Sequence, residues 1–237
     1  MIHFDNAGFS VQADEPQSPA HVVLAPTSLK LSESRISVIG ANGSGKSTLL
    51  RMINGLVAPT SGNVRVHGDD TRTKIKSVRQ NVGFLFTDPL SQLVMPIVIE
   101  DVELSLKASI KDQAKRRTAA LAALAKLNLE HLAMRSIYDL SGGERQLVAL
   151  CSVLAAGQNT LVADEPTTLL DLANNQLLQR TIAALPQQVI YATHDLEFAA
   201  QAERGLLVAN GRVVFDGAAA EAVDEYRARV RSGAISA

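Results

Sequence analysis

The segment Gly40-Ala41-Asn42-Gly43-Ser44-Gly45-Lys46-Ser47-Thr48 matches G-x-x-x-x-G-K-[ST] in full. A short apolar run, Arg35-Ile36-Ser37-Val38-Ile39, precedes it, and Thr48–Ile53 reads as a helix that follows. Strand, glycine-rich loop and helix in that order is the setting a phosphate-binding loop requires. The glycines let the backbone curl so that successive N–H groups, those of Gly40, Asn42, Gly43, Ser44 and Gly45 among them, point inward at an anion. The helix beginning near Thr48 adds the partial positive charge of its N-terminus. In that arrangement Lys46 reaches the β- and γ-phosphates, and the Ser47 hydroxyl sits on Mg²⁺. The segment implies binding of a nucleoside triphosphate.

At 237 residues the chain has room for one large domain, or one domain with an insertion. Its formal net charge of −1 gives no basic field, so nucleic acid is not an expected partner. The single cysteine, Cys151, excludes an internal disulfide. It lies in an apolar helical run and reads as a small core residue. The N-terminus lacks a charged-then-apolar leader, and no apolar run approaches the ~18 residues that span a bilayer. The expectation is a protein of the cytosol, or one peripheral to the cytosolic face of a membrane complex.

Residues 1–11 and 22–31 read as a pair of strands joined by a polar loop carrying Pro16 and Pro19. Val64–Val66 follows a turn at Pro59–Gly62, and Val82–Phe86 is a stronger strand that stops at Thr87-Asp88-Pro89. From about 97 to 135 the pattern is helical, with Lys115, Arg116 and Arg117 on what reads as a solvated face. Another helix follows Gly143. Thr160–Ala163, Val189–Ala192 and Leu206–Val208 read as buried strands, and Arg212–Phe215 as an edge. Continuous apolar strands alternating with helices imply an α/β fold with a mainly parallel sheet covered on both faces. The helical block at approximately 97–156 interrupts that alternation and reads as an inserted subdomain within one domain spanning 1–237.

Asp164 and Glu165 end the Thr160–Ala163 strand. Asp164 is placed to hold the Mg²⁺ shell, as the carboxylate of a Walker B strand does. Glu165 points to the other side of the strand end, where it can polarise a water for in-line attack on the γ-phosphate. Upstream, Leu140-Ser141-Gly142-Gly143-Glu144-Arg145-Gln146 opens a helix whose dipole and free N–H groups suit a second phosphate-binding surface.

Taken in this order, after the phosphate loop and before the acidic strand end, the Ser141-Gly142-Gly143 segment resembles the signature loop of ABC-type ATPases. The resemblance covers nearly the whole chain. It implies the P-loop NTPase fold of that family, with an antiparallel N-terminal β-subdomain. ATP and Mg²⁺ are then the ligands, and the reaction is ATP hydrolysis coupled to transmembrane transport. Pro166–Asp171 resembles the D-loop, with Asp171 contacting the opposite protomer. Thr193-His194-Asp195 resembles the switch-histidine segment, which makes His194 a γ-phosphate sensor. One phosphate loop and one signature loop per chain imply a head-to-tail homodimer, each Ser141–Gly143 segment capping its partner's ATP.

The sequence departs from the family pattern twice. The A-loop aromatic that stacks on adenine falls near Val11, which offers apolar contact without a ring; Phe9 lies nearby, on the same face by strand alternation. The strand that normally ends in Phe-Gln reads Phe84-Leu85-Phe86-Thr87, so Thr87 takes the Q-loop position toward the metal and the attacking water. Gln92 is a possible substitute. Asp88–Pro96 also resembles the Asn-Pro-x-x-Gln-Leu segment of energy-coupling factor ATPases, where a short extra helix faces the membrane coupling subunit. Leu90, Leu93, Val94 and Met95 would supply an adaptable apolar surface there. The alternative is an ordinary loop packed beneath the helical segment.

Phe86–Pro89 together with Thr167–Leu172 resembles the ATPases of biotin importers. The implied partners are an integral membrane coupling protein and a small membrane substrate-binding protein, at the cytoplasmic face of the inner membrane. The alternatives are a cobalt or nickel importer's ATPase, a soluble ABC-type ATPase of DNA repair or translation, and a nucleotide switch with little turnover. The helical stretch through Arg231 is expected to complete the nucleotide-binding core, with no appended domain.

Overall fold

The computed structural model describes residues 1–12, 20–168 and 170–234. The segment carrying Pro16 and Pro19, and Leu169 of the D-loop-like stretch, lie outside the described residues. In chain order the elements begin with β1 (Ile2–Val11), β2 (His21–Leu31), β3 (Arg35–Ile39), α1 (Lys46–Ile53), β4 (Ser61–Val66), β5 (Asp69–Asp70), α2 (Ile75–Asn81) and β6 (Val82–Leu85). Then come α3 (Val98–Leu106), α4 (Gln113–Lys126), α5 (Gly142–Ala155), β7 (Thr160–Asp164) and α6 (Leu172–Ala184). The chain closes with β8 (Gln188–Ala192), α7 (Leu196–Ala200), β9 (Arg204–Ala209), β10 (Arg212–Ala218) and α8 (Ala219–Arg231).

The strands form two sheets. One is antiparallel, in the order β2-β1-β4-β5. The other runs β10-β9-β3-β8-β7-β6, parallel throughout except for the antiparallel edge β10. Period-two alternation explains why this second sheet is apolar on both faces. Ile36, Val38, Val162, Ile190, Leu206 and Val208 face a core shared with the first sheet and with Leu49, Leu50, Met52 and Ile53 of α1. Their neighbours Leu161, Ala163, Val189 and Tyr191 face the opposite way, against α5 and α6. Ile39, Leu207 and Ala209 meet α7 and α8 on that same side. Helix α1 is therefore sandwiched between the sheets, and the loop before it opens at the C-terminal edge of the parallel strands, where ligands of open α/β sheets bind.

The strands stop where local chemistry changes. β6 ends at Leu85, one residue short of the expected Phe86, and β4 starts at Ser61 inside the expected turn. In α5, Ser141 caps the first turn: its hydroxyl accepts from Glu144 N at 3.2 Å, and Ser141 N donates to Glu144 Oε2 at 2.8 Å. The helices α3, α4 and α5 share one core with β6 and β7, through Val102, Leu106, Leu124, Leu147 and Leu150 packed with Leu85 and Leu161. Among the described residues no helix is long and apolar enough to cross a membrane.

Candidate nucleotide site

The loop between β3 and α1 owes its course to glycine. Gly40 has φ +147°, and a Cβ there would lie 2.0 Å from Val208 O. Gly45 caps α1 with φ +108°, and its Cβ would come 2.8 Å from Val23 O. Asn42 and Gly43 are exposed at the tip, whereas Ser44, Gly45 and Lys46 are buried. Ser44 N donates to Ala41 O at 3.2 Å, while the Ser44 hydroxyl is buried with no hydrogen-bond partner. The first-turn N–H groups of α1, those of Lys46, Ser47 and Thr48, have no acceptor within the helix. An orphaned hydroxyl and a ring of free donors fit a phosphate.

Lys46 Nζ donates to Gly40 O at 2.8 Å and Ala41 O at 3.0 Å, and lies 3.8 Å from Glu165 Oε1. Burial pulls its pKa below the usual lysine value, and the carboxylates of Glu165 and Asp164 oppose that pull. At the end of β7, the buried Asp164 accepts a hydrogen bond from Ser47 Oγ at 2.9 Å. A hydroxyl and a carboxylate held that close are oxygen donors of the kind hard divalent cations take, and they fit such an ion. The Arg51 guanidinium stands 3.5 Å from Asp164 Oδ2. Sequence reasoning missed Arg51, although its position one helical turn after Ser47 puts both on one face of α1.

Glu165 sits one residue beyond the strand with φ +52°, a backbone conformation unusual for a side-chain-bearing residue. Its Oε2 accepts from His194 N at 3.2 Å and Thr168 Oγ1 at 3.4 Å. Its Oε1 lies 3.0 Å from His194 Nε2, at ion-pair distance but without hydrogen-bonding geometry. Burial pushes the Glu165 carboxyl above the ordinary glutamate range; His194 and Lys46 pull it down, and Asp164 pushes it up. A carboxylate so placed can take a proton from a water.

Thr87 Oγ1 donates to Asp164 O at 2.7 Å, so its proton ties the strand end down while an oxygen lone pair stays available. Gln92 turns inward: its Oε1 accepts from Phe86 N and its Nε2 donates to Ala149 O, both at 3.3 Å. Gln146 donates to Phe86 O at 3.1 Å from the same helix, α5. Leu93 corrects the expected apolar surface, for it is buried in the core, whereas Leu90 and Val94 are exposed and Met95 is half-buried. Val11 is exposed at the end of β1. A register irregularity between Phe9 and Ser10 breaks the expected alternation, and Phe9 packs against the core instead. Ser141 and Gly142 are exposed at the start of α5, Gly143 is buried, and Asp171 caps α6. Lys46, Ser47, Asp164, Glu165 and His194 are joined by the contacts above. Ser141–Gly143 and Asp171 stand apart from that set, at the openings of two other helices.

A family model described as ABC transporter matches residues 24–168. The biotin transport ATP-binding protein BioM of Rhizobium etli is 46% identical over 95% of this chain and 97% of its own length. The energy-coupling factor transporter ATP-binding protein EcfA2 of Methanospirillum hungatei is 34% identical over 84% of this chain and 52% of its own. Among solved structures, the ATP-binding cassette MJ0796, in a dimeric post-hydrolysis state bound to ADP and Pi, matches with a TM-score of 0.81. It is 29% identical, over 92% of this chain and 99% of that one.

Proposed function

The chain belongs to the ABC transporter ATPase family, and on that premise we propose that it is the ATP-hydrolysing engine of an energy-coupling factor importer whose cargo is biotin. The observation that carries the enzymatic part is the Lys46–Glu165–Asp164–Ser47 constellation at the ends of β3 and β7. The cargo is supported by the BioM relative, and the importer type by the EcfA2 relative and the Asp88–Pro96 segment.

ATP is the substrate. Its phosphates would lie along Gly40–Thr48, with the Ser44 hydroxyl and the first-turn N–H groups of α1 donating to their oxygens. Lys46 would exchange the carbonyls of Gly40 and Ala41 for phosphate oxygens. Ser47 and Asp164 would hold Mg²⁺, with Thr87 beside them; when bound, that ion neutralises charge developing on the phosphate oxygens. Glu165 accepts the proton of the attacking water at its carboxylate, and the His194 ring senses the γ-phosphate from beside it. Val11 would meet the base by apolar contact alone, while the half-buried Phe9 ring packs against the core.

The second half of each site would come from another copy of this chain. Ser141, Gly142 and Gly143, with Asp171, would cap the partner's nucleotide in a head-to-tail dimer; the MJ0796 cassette structure is itself dimeric. Release of phosphate would let the dimer reopen. Residues 97–156 would act as a helical subdomain, and the exposed Leu90 and Val94 would meet an integral membrane coupling protein at the cytoplasmic face.

The test is capture of tagged Glu165→Gln protein from detergent-solubilised native membranes with ATP and Mg²⁺. Recovery of a polytopic coupling protein together with a small membrane protein carrying biotin is the expected result. Recovery of soluble or nucleic-acid-associated partners alone would overturn the importer reading.

A further inference from the structure

Gly143, the second glycine of the Ser141–Gly143 segment, is buried, and a side chain from another helix lies directly against it. A Cβ built on Gly143 would lie 2.2 Å from Asn174 Cγ, 2.4 Å from its Nδ2 and 2.6 Å from its Cβ. The last distance is decisive. Rotating the Asn174 side chain moves its amide but leaves its Cβ where α6 puts it, so any side chain at position 143 must displace the helix itself. The glycine lets the first turns of α5 and α6 pack in direct contact.

Asn174 is also fixed to the residue that opens α6. Its backbone N donates to Asp171 Oδ1 at 2.9 Å, and its Nδ2 donates to Asp171 Oδ2 at 3.0 Å. The amide is thus held by Asp171 on one side and pressed on Gly143 on the other. These two contacts join the exposed Ser141-Gly142 tip to the exposed Asp171 tip. We propose that Asn174 is a positioning residue that locks these two tips into one rigid unit, so that both engage the partner protomer's nucleotide together. The proposal rests on the head-to-tail reading above and adds to it a residue that touches neither nucleotide nor metal.

A purely local view makes the opposite prediction. Glycine inside a helix is less favourable than alanine, so Gly143→Ala ought to stabilise α5. If Asn174 clamps Gly143, that substitution must instead disturb the junction. Moving the glycine to the other helix, as in Gly143→Ala/Asn174→Gly, should relieve the overlap.

The experiment measures steady-state ATP turnover of the purified chain against protein concentration, ATP affinity with a fluorescent analogue, and Tm. The wild type is compared with Gly143→Ala, Asn174→Gly, the double variant and Asn174→Ala. Gly143→Ala is expected to lose turnover by about tenfold or more with the nucleotide affinity of the single chain, measured at low protein concentration, unchanged, since its own phosphate loop is untouched. The double variant should recover to the level of Asn174→Gly. Asn174→Ala removes the side-chain bond to Asp171, leaves the backbone N–H bond in place and creates no overlap. It should keep its Tm within a few degrees and its ATP affinity, yet lower turnover several-fold, which judges the proposal even if Gly143→Ala does not fold. Wild-type turnover per chain that does not rise with protein concentration would fell the head-to-tail reading and the proposal with it. Concentration-dependent wild-type turnover beside a fully active Gly143→Ala or Asn174→Ala, or a folded double variant no better than Gly143→Ala, would fell the proposal alone.

Discussion

Glu165 brings several opposing effects to one atom group. Burial disfavours its charge, His194 and Lys46 favour it, and Asp164 works against it, with the balance toward a raised pKa. A general base must be ionised to act, so activity is lost as pH falls through that raised value. The acid limb of kcat/KM should accordingly lie above the ordinary glutamate value of 4.5. A profile flat down to that pH would remove Glu165 as the base. Lys46→Ala takes away the ammonium held inside the phosphate loop, 3.8 Å from Glu165 Oε1, and nucleotide binding should fall by at least about a hundredfold; near-normal affinity in a titration would contradict the site. That Lys46, Ser47, Asp164 and Glu165 come together was legible in the sequence because it follows from chain-local geometry: a glycine loop before a helix, and two carboxylates ending a buried strand. Arg51 and the hydrogen bond from Thr87 to Asp164 O were not, since they depend on how α1 and β6 lie against β7.

At the scale of elements, alternation and apolar runs were enough to expect the mainly parallel sheet with β10 at an edge, the β1–β2 pair and helices covering the parallel sheet. The antiparallel subdomain as a whole came from the family resemblance. Alternation failed where the backbone is irregular. The pairing of β1 with β2 shifts register on both sides of Phe9, whose ring packs half-buried against the core, and periodicity carries no sign of these shifts. The loop after β6 shows the same limit, for Leu93 is buried while its neighbour Val94 is 73% exposed. What holds this loop is Asp101 on α3, 4% exposed, whose Oδ1 accepts from Val94 N at 2.8 Å and Met95 N at 3.1 Å. Its Oδ2 accepts from Ser152 Oγ of α5 at 2.8 Å. Asp101→Ala strips all three donors of their acceptor, which should lower stability by about 2–3 kcal/mol and Tm by roughly 5–10 °C. Limited proteolysis should then cut first near Val94. An unchanged Tm with a protected loop would mean that Leu93 burial alone anchors the segment.

For the whole molecule, the arrangement of motifs is the argument for association. The groups around Lys46 and Glu165 form one connected cluster, while Ser141, Gly142 and Asp171 are exposed at the starts of α5 and α6, outside that cluster. On the proposed reading, in which the exposed N-termini of α5 and α6 take a phosphate, that surface has no use within a chain whose own phosphate loop lies elsewhere, whereas two copies related by a twofold axis would put both sets to work. Association should therefore depend on ATP. Glu165→Gln keeps the shape of the side chain and removes its capacity to accept a proton, so bound ATP persists and the closed state accumulates. In sedimentation velocity that variant should run as a monomer without nucleotide and as a dimer with ATP and Mg²⁺, returning to monomer with ADP. Adding Ser141→Arg, which fills the exposed tip of α5 with a bulky side chain, should abolish the dimer while leaving ATP affinity of the single chain unchanged. Dimers that persist without ATP, or that survive Ser141→Arg, would place the contact on some other surface.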